Sequence, residues 1–208
     1  MFLLRPPTPA QVGVFLSHSR EQAPSYAETG WSLDGRTPDW ARSGRHRVRV
    51  GEGEACWERA KAALRGGQMF QDWVLRPHGE ASTPLSRQGA TVVLLVRHFG
   101  PWGRRKWGLY SLMTNRVLYL VDEPDRYGFG YGTLPGHLVR GEERFLLERD
   151  AAGVVWFELT TFSRAALPFS RLVQPFVQAA QRRGARHYAR MLVQAAGCGE
   201  SFKNPSAI

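Results

Sequence analysis

Between residues 91 and 196 the chain sets out one strand-like segment after another and then a single long amphipathic helix, an order that leaves few folds open. Thr91–Phe99, Arg116–Asp122, Arg126–Thr133, Glu143–Arg149 and Val154–Phe162 are rich in β-branched and aromatic residues. The last is the clearest, because Val155, Phe157 and Leu159 fall on one face and Trp156 on the other. Short turns separate the later segments: Pro124-Asp125 and Asp150 to Gly153 supply a preset φ and residues tolerant of unusual ones. Consecutive strands joined by short turns pair antiparallel. From about Phe169 to Ala196, Leu172, Val173, Phe176, Val177, Ala180, Tyr188, Leu192 and Val193 recur with a period near 3.6, so this helix needs an apolar surface to lie on. The pattern predicts an α+β fold in which a curved antiparallel sheet packs on a long C-terminal helix.

Upstream, Arg45 to Val50 alternates, with Arg45, Arg47 and Arg49 on one face and His46, Val48 and Val50 on the other, as a strand with one wet face does. Glu54 to Arg65 places Cys56, Trp57, Ala60, Ala63 and Leu64 at helical spacing, and Gly66-Gly67 ends that short helix. Residues 1–43 mix Pro, Ser, Gly and charge with scattered aromatics and read as an irregular arm packed on a single α+β domain of residues 44–196; residues 197–208 read as a flexible tail. A length of 208 residues with 43% hydrophobic residues suits one sizeable core. Gly184 interrupts the long helix at a cost of about 1 kcal/mol relative to alanine, which suggests a bend or a close approach.

One stretch concentrates unusual chemistry: Gly128 to Phe145 reads GFGYGTLPGHLVRGEERF. Gly128, Gly130 and Gly132 recur at every second residue, so they strip one face of a strand and leave Phe129 and Tyr131 on the other; the bare face admits a backbone, a helix or a ligand. His137 with Glu142 or Glu143 forms the candidate acid–base set, since an imidazole and a carboxylate exchange protons if a pocket desolvates them. Adjacent Glu142 and Glu143 point to opposite faces of a strand, which argues against a paired-carboxylate mechanism.

YGTLPGH at Tyr131–His137 followed by GEERF at Gly141–Phe145 closely resembles the signature of a domain-of-unknown-function family found in bacteria and plants. The resemblance spans most of the chain. Ser25, Tyr26, Glu28 and Gly30 are similar to an early SYxExG element, and Gly51, Gly53, Trp57, Ala60 and Leu64 to a glycine-containing helix entry. RVLYLVDE at Arg116–Glu123, FSR at Phe162–Arg164, and Gln181 with Tyr188 complete it. Met113 and Thr114, where proline or cysteine is expected, and the tryptophan-rich loop Trp102 to Trp107 depart from the pattern. No activity transfers with the resemblance. The element order is similar to the START-like, birch-pollen-allergen-type helix-grip fold, whose members often hold an apolar ligand between sheet and helix. That analogy implies fold alone.

Other chemistries find little support. RVGEGEAC at Arg49–Cys56 lacks the third glycine of a dinucleotide turn and follows an alternating strand, so Gly53 reads as a helix start and no cofactor is expected. Six histidines show no ligand spacing, and Cys56 and Cys198 lie far apart, which disfavours a metal site and a disulfide framework and suits a reduced cytosol. No GxSxG elbow is present. Net charge is +10, yet arginine outnumbers lysine 25 to 3, a skew that genome composition can produce. The basic groups Arg45/Arg47/Arg49, Arg104/Arg105/Lys106 and Arg182/Arg183/Arg186/Arg190 therefore read first as solvated faces, and nucleic-acid or membrane-surface partners are disfavoured. With no signal-peptide h-region and no long apolar run, the expected location is cytoplasmic. The favoured reading is non-catalytic binding of a small apolar or amphipathic molecule between sheet and C-terminal helix, lined by Phe129, Tyr131, Trp156, Phe176 and Tyr188. The alternatives are a small-molecule enzyme using His137 with Glu142 or Glu143, and an interaction module presenting arginine faces to acidic partners.

Overall fold

The computed structural model describes residues 2–70, 75–79, 84–99, 108–166 and 170–198. Its elements in chain order are β1 (Phe2–Leu3), α1 (Pro9–Arg20), β2 (Arg42–Glu52), α2 (Glu54–Arg65), β3 (Leu75–Gly79), β4 (Thr91–Phe99), β5 (Leu109–Glu123), β6 (Arg126–Thr133), β7 (Val139–Arg149), β8 (Val154–Ala165) and α3 (Ser170–Ala196). One sheet runs in the order β2-β8-β7-β6-β5-β4-β3, with β1 added to β5, and every pairing is antiparallel. Register shifts at Arg49/Gly51, Arg97/Phe99 and Val117/Tyr119 mark bulges, which bend strands and curl the layer. The expected α+β architecture, a curled antiparallel sheet gripping a long C-terminal helix, is the one observed.

Alternation along each strand sends one set of side chains to the concave face. Val155, Phe157 and Leu159 of β8, Phe145 and Leu147 of β7, and Phe129 and Tyr131 of β6 form one buried cluster there. Phe70 joins from a short 3-10 turn, Trp57, Ala60 and Leu64 from α2, and Tyr188, Ala189, Leu192, Val193 and Ala196 from α3. Aromatic rings dominate the centre: Phe129 stacks on Phe145 at 5.0 Å, and Phe70 meets Tyr188 edge-on at 5.2 Å. Both expected hairpins are present. Glu123 faces Arg126 across Pro124-Asp125, and the Asp150 carboxylate accepts from the Ala152 and Val154 amides at 3.0 Å.

Several expectations are corrected. The arm is not irregular throughout, because Pro9–Arg20 is helical. Thr8 caps it by accepting from the Gln11 amide at 3.2 Å, Gln11 returns an acceptor to the Thr8 amide at 2.9 Å, and Pro9 occupies the first turn. Proline-rich surroundings and a weakly apolar face obscure that capping box in the sequence. Strands β5 and β7 start earlier than their apolar pattern, at Leu109 and Val139, since buried Ser111, Thr114 and Asn115 interrupt the first and Gly141 and Glu142 the second. Cys56 and Cys198, although 142 residues apart, are joined by a disulfide with Cα atoms 5.5 Å apart. Antiparallel return of the chain brings the end of α3 to the start of α2, which sequence separation does not reveal. Gly51 makes room for the bond, since a Cβ there would lie 2.7 Å from the Cys56 sulfur. Cys198 thus belongs to the folded body and not to a free tail. The cluster at 102–107 and residues beyond 198 lie outside the described residues. Among those described, no helix is long and apolar enough to cross a membrane.

Candidate functional site

The glycine-rich strand and the GEERF segment are neighbours, β6 beside β7, and each serves both faces of the sheet. On the convex face the missing side chains of Gly130 and Gly132 are replaced by two tyrosines. A Cβ on Gly132 would stand 2.0 Å from the Tyr26 hydroxyl, and one on Gly130 would stand 2.2 Å from Tyr119 Cζ. Both hydroxyls sit in a buried network with Glu142. Its carboxylate accepts from Tyr26 at 2.9 Å, from the Gly30 amide at 2.9 Å, from the Ser32 amide at 3.0 Å and from the Ser32 hydroxyl, which also meets Tyr119 at 2.6 Å. Ser25 bonds the Thr133 carbonyl at 3.1 Å, and the Trp40 indole donates to Glu28 at 2.9 Å. The SYxExG element and the GEERF element are therefore two halves of one clasp that fastens the arm.

Arg144 extends this clasp, donating to the Leu33 carbonyl and to Glu158, both at 2.9 Å. Burial opposes ionisation of Glu158, but Arg45, Thr160 and Arg144 outweigh it and hold its carboxyl below the usual range. Arg45, Arg47 and Arg49 each pair with a carboxylate. The alternating arginine face is thus largely neutralised within the protein.

On the concave face, register places Tyr131, Glu143, Thr161 and Gly44 side by side across β6, β7, β8 and β2. The next row holds Phe129, Phe145, Leu159 and His46. Helix α3 crosses these rows. Gln181 donates to Ser163 at 2.7 Å one row to one side, while Tyr188 lies 5.7 Å from Phe145 one row to the other. Gly184 falls between them on the same helical face and so spans the Glu143 row. A Cβ on Gly184 would meet nothing within 4 Å, so of the bend or close approach expected at this glycine, the close approach is not found. Gly44 is exposed, and Glu143 and Thr161 both keep accessible surface. Gly184 therefore leaves open space on the side of α3 that faces the Glu143 row, next to the exposed Gly44 at the β2 edge.

Glu143 is the carboxylate of this row. The Tyr131 hydroxyl donates to Glu143 Oε2 at 2.5 Å, and Tyr188 adjoins the pair. Burial raises the Glu143 carboxyl above its usual range against the lowering effect of the Tyr131 bond. Burial and the Glu143 charge push both tyrosine hydroxyls up as well. His46, one row away, is lowered first by burial and then by Arg186 of α3.

Of the residues singled out in the sequence, Phe129, Tyr131 and Tyr188 come together on this face with Glu143. Trp156 does not: an even-numbered residue of β8, it faces the convex side, where it donates to Asp150 at 3.0 Å and lies under Arg47. Phe176 lies on α3, but its side chain is outside the described residues. His137 is held in its own turn, where Gly136 takes φ +84° and Nδ1 accepts from the Val139 amide at 3.1 Å; burial lowers its pKa to about 4. Among the described residues, neither Glu142 nor Glu143 has His137 as a hydrogen-bond partner, so the expected imidazole–carboxylate set is not assembled. Gly44, Thr161 and Phe70 were missed, since small or lone residues acquire meaning only when register aligns them.

Residues 25–191 match the family described as Domain of unknown function (DUF1990). A UPF0548 protein of Deinococcus radiodurans is 93% identical over 198 residues, covering 95% of this chain and all of that protein. A UPF0548 protein of Arabidopsis thaliana is 35% identical over 156 residues, covering 71% of this chain and 70% of that one. Among solved structures, a hypothetical protein from Helicobacter pylori superposes with a TM-score of 0.58 at 10% identity, over 84% of this chain and 96% of that one, a likeness of fold alone.

Proposed function

The chain belongs to the DUF1990 family, defined by sequence and not by an activity, and from the geometry of its concave face we propose that it binds a small amphipathic molecule, without transforming it, in the groove between the sheet and α3. The observation that carries this reading is the alignment of Gly44, Thr161 and Gly184 around the Glu143 carboxyl, beside the rings of Tyr131, Phe145 and Tyr188. A site with apolar walls and one placed polar group is the usual form of a small-molecule pocket. Non-catalytic binding is favoured because Glu143 meets Tyr131 and no imidazole among the described residues. The arginine face of β2 supports an acidic partner less well, since Arg45, Arg47 and Arg49 already have carboxylate neighbours.

The test is extraction of the purified protein into organic solvent followed by mass spectrometry, alongside the variant Gly184→Phe, whose side chain enters the open space. The expected result is a compound released near one per chain from the wild type and lost from the folded variant. A clean extract from the wild type, with equal uptake of a naphthalene dye by both proteins, would overturn the reading.

A further inference from the structure

Resting on the groove reading above, we infer that the site selects molecules whose buried end is an uncharged hydroxyl, presented to the free oxygen of Glu143. Among the described residues only one carboxyl oxygen of Glu143 has a hydrogen-bond partner: Oε2 takes the Tyr131 hydroxyl, and Oε1 has none. Glu143 nonetheless keeps accessible surface, so Oε1 looks into the groove. A partly buried carboxyl oxygen without a protein partner gains a hydrogen bond, and loses its remaining contact with water, when a bound molecule brings a donor. Thr161, its neighbour across β7 and β8, makes no hydrogen bond through its hydroxyl to the described residues, and that hydroxyl lies on the Gly44 side, 2.9 Å from where a Cβ on Gly44 would stand.

Shape limits what can bring that donor. Beyond Glu143 the row continues through Thr161 to Gly44, and Gly184, where a Cβ would meet nothing within 4 Å, faces it from the helix near Tyr131 and Tyr188. A planar or apolar body fits such walls, with its polar end directed at Oε1.

Charge decides between a hydroxyl and an ammonium, both of which donate. Helix α3 contains no acidic residue and carries Arg182, Arg183, Arg186 and Arg190, and Arg186 is near enough to the groove to depress His46. A cationic head would approach past these charges in a protein of net charge +10. Burial also disfavours the ionised form of Glu143, so the site lacks the stabilised anion an ammonium would need. An anionic head such as a carboxylate brings no donor to Oε1. Neutral donors remain, of which a hydroxyl is the smallest that brings one strong O–H.

The experiment compares three near-isosteric probes on the intact protein: 2-ethylnaphthalene, 2-naphthalenemethanol and 2-naphthylmethylamine, titrated at pH 7 by intrinsic fluorescence. The alcohol is expected to bind ~10-fold tighter than the hydrocarbon, the worth of one hydrogen bond in a desolvated site, and tighter than the amine. Glu143→Leu should abolish the alcohol's advantage. Glu143→Gln keeps the side-chain shape but, with its one oxygen taken by the Tyr131 hydroxyl, turns an amide NH2 toward the site that can donate to the alcohol's oxygen, so it should retain part of the advantage, and it serves as the second variant if Glu143→Leu does not fold. Equal affinity for alcohol and hydrocarbon would overturn the hydroxyl assignment and leave the groove reading intact; tightest binding of the amine would overturn the charge argument. No binding of any probe, with Gly184→Phe indistinguishable from wild type, would remove the groove reading itself.

Discussion

Replacing Gly132 by alanine tests whether the glycine pattern of β6 exists to admit the tyrosine clasp. The new Cβ would stand 2.0 Å from the Tyr26 hydroxyl, about 1.4 Å inside ordinary contact, and 2.9 Å from Leu118 Cδ1. Tyr26 cannot retreat without releasing Glu142, which it meets at 2.9 Å. Losing a hydrogen bond to a buried charged group costs about 1.5–3 kcal/mol, and the overpacking adds about 1–3 kcal/mol. Lower entropy of the unfolded chain returns about 0.4–1 kcal/mol. The net expectation is destabilisation by about 3 kcal/mol, read in urea as a midpoint lowered by about 1 M for a slope of about 3 kcal/mol/M. Gly184→Ala, the same chemical change in open space on a helix, should instead stabilise by up to about 1 kcal/mol. Tyr26→Phe provides the decisive control. It removes the hydroxyl that the new methyl group would strike, leaving the ring carbon at 3.0 Å, so the double variant should be close to Tyr26→Phe alone, with a coupling of roughly 2 kcal/mol. Additive losses, or a Gly132→Ala midpoint equal to wild type, would refute the clasp.

The remaining expectations concern protonation and the disulfide. Glu143 has its folded pKa raised, so its unfavourable contribution grows as pH rises from the ordinary value of 4.5 through the folded one; Glu143→Gln should raise Tm at pH 7 and lose that advantage below about pH 4.5, as calorimetry across pH would show. His137 is lowered from 6.5 to about 4, so its contribution is present above pH 6.5 and is lost on acidification toward pH 4, by up to ~3 kcal/mol; His137→Gln should flatten that limb of the stability curve. Reduction of Cys56–Cys198, or Cys198→Ser, opens a loop of 142 residues and should cost up to ~5 kcal/mol on chain-entropy grounds; thiol titration of the unreduced denatured protein should find no free thiol.

Much of this architecture is written locally. Alternation at Val154–Phe162, the turn residues at Pro124-Asp125 and Asp150 to Gly153, and the 3.6 period before Ala196 each encode an element within a few residues of chain, and each formed as read. Opposite placement of Glu142 and Glu143 was legible for the same reason, since adjacent strand residues must diverge. Trp156 carried the same information, and its alternation with Val155 and Phe157 pointed to the convex side that it occupies. The helix at Pro9–Arg20 was encoded too, in the Thr8–Gln11 capping pattern, but its short apolar stripe gave little periodicity to see.

By itself, then, the sequence determined the elements, their antiparallel succession and the faces their side chains take, because dihedral preference and side-chain periodicity act between neighbours. Only the tertiary structure decided that Tyr26 fills the place Gly132 leaves, that Cys56 meets Cys198, and that Gly44, Thr161, Glu143 and Gly184 share one row. Those meetings depend on strand register and on where a helix crosses the sheet, quantities set by packing among residues 18 to 142 positions apart, for which no local pattern carries the address.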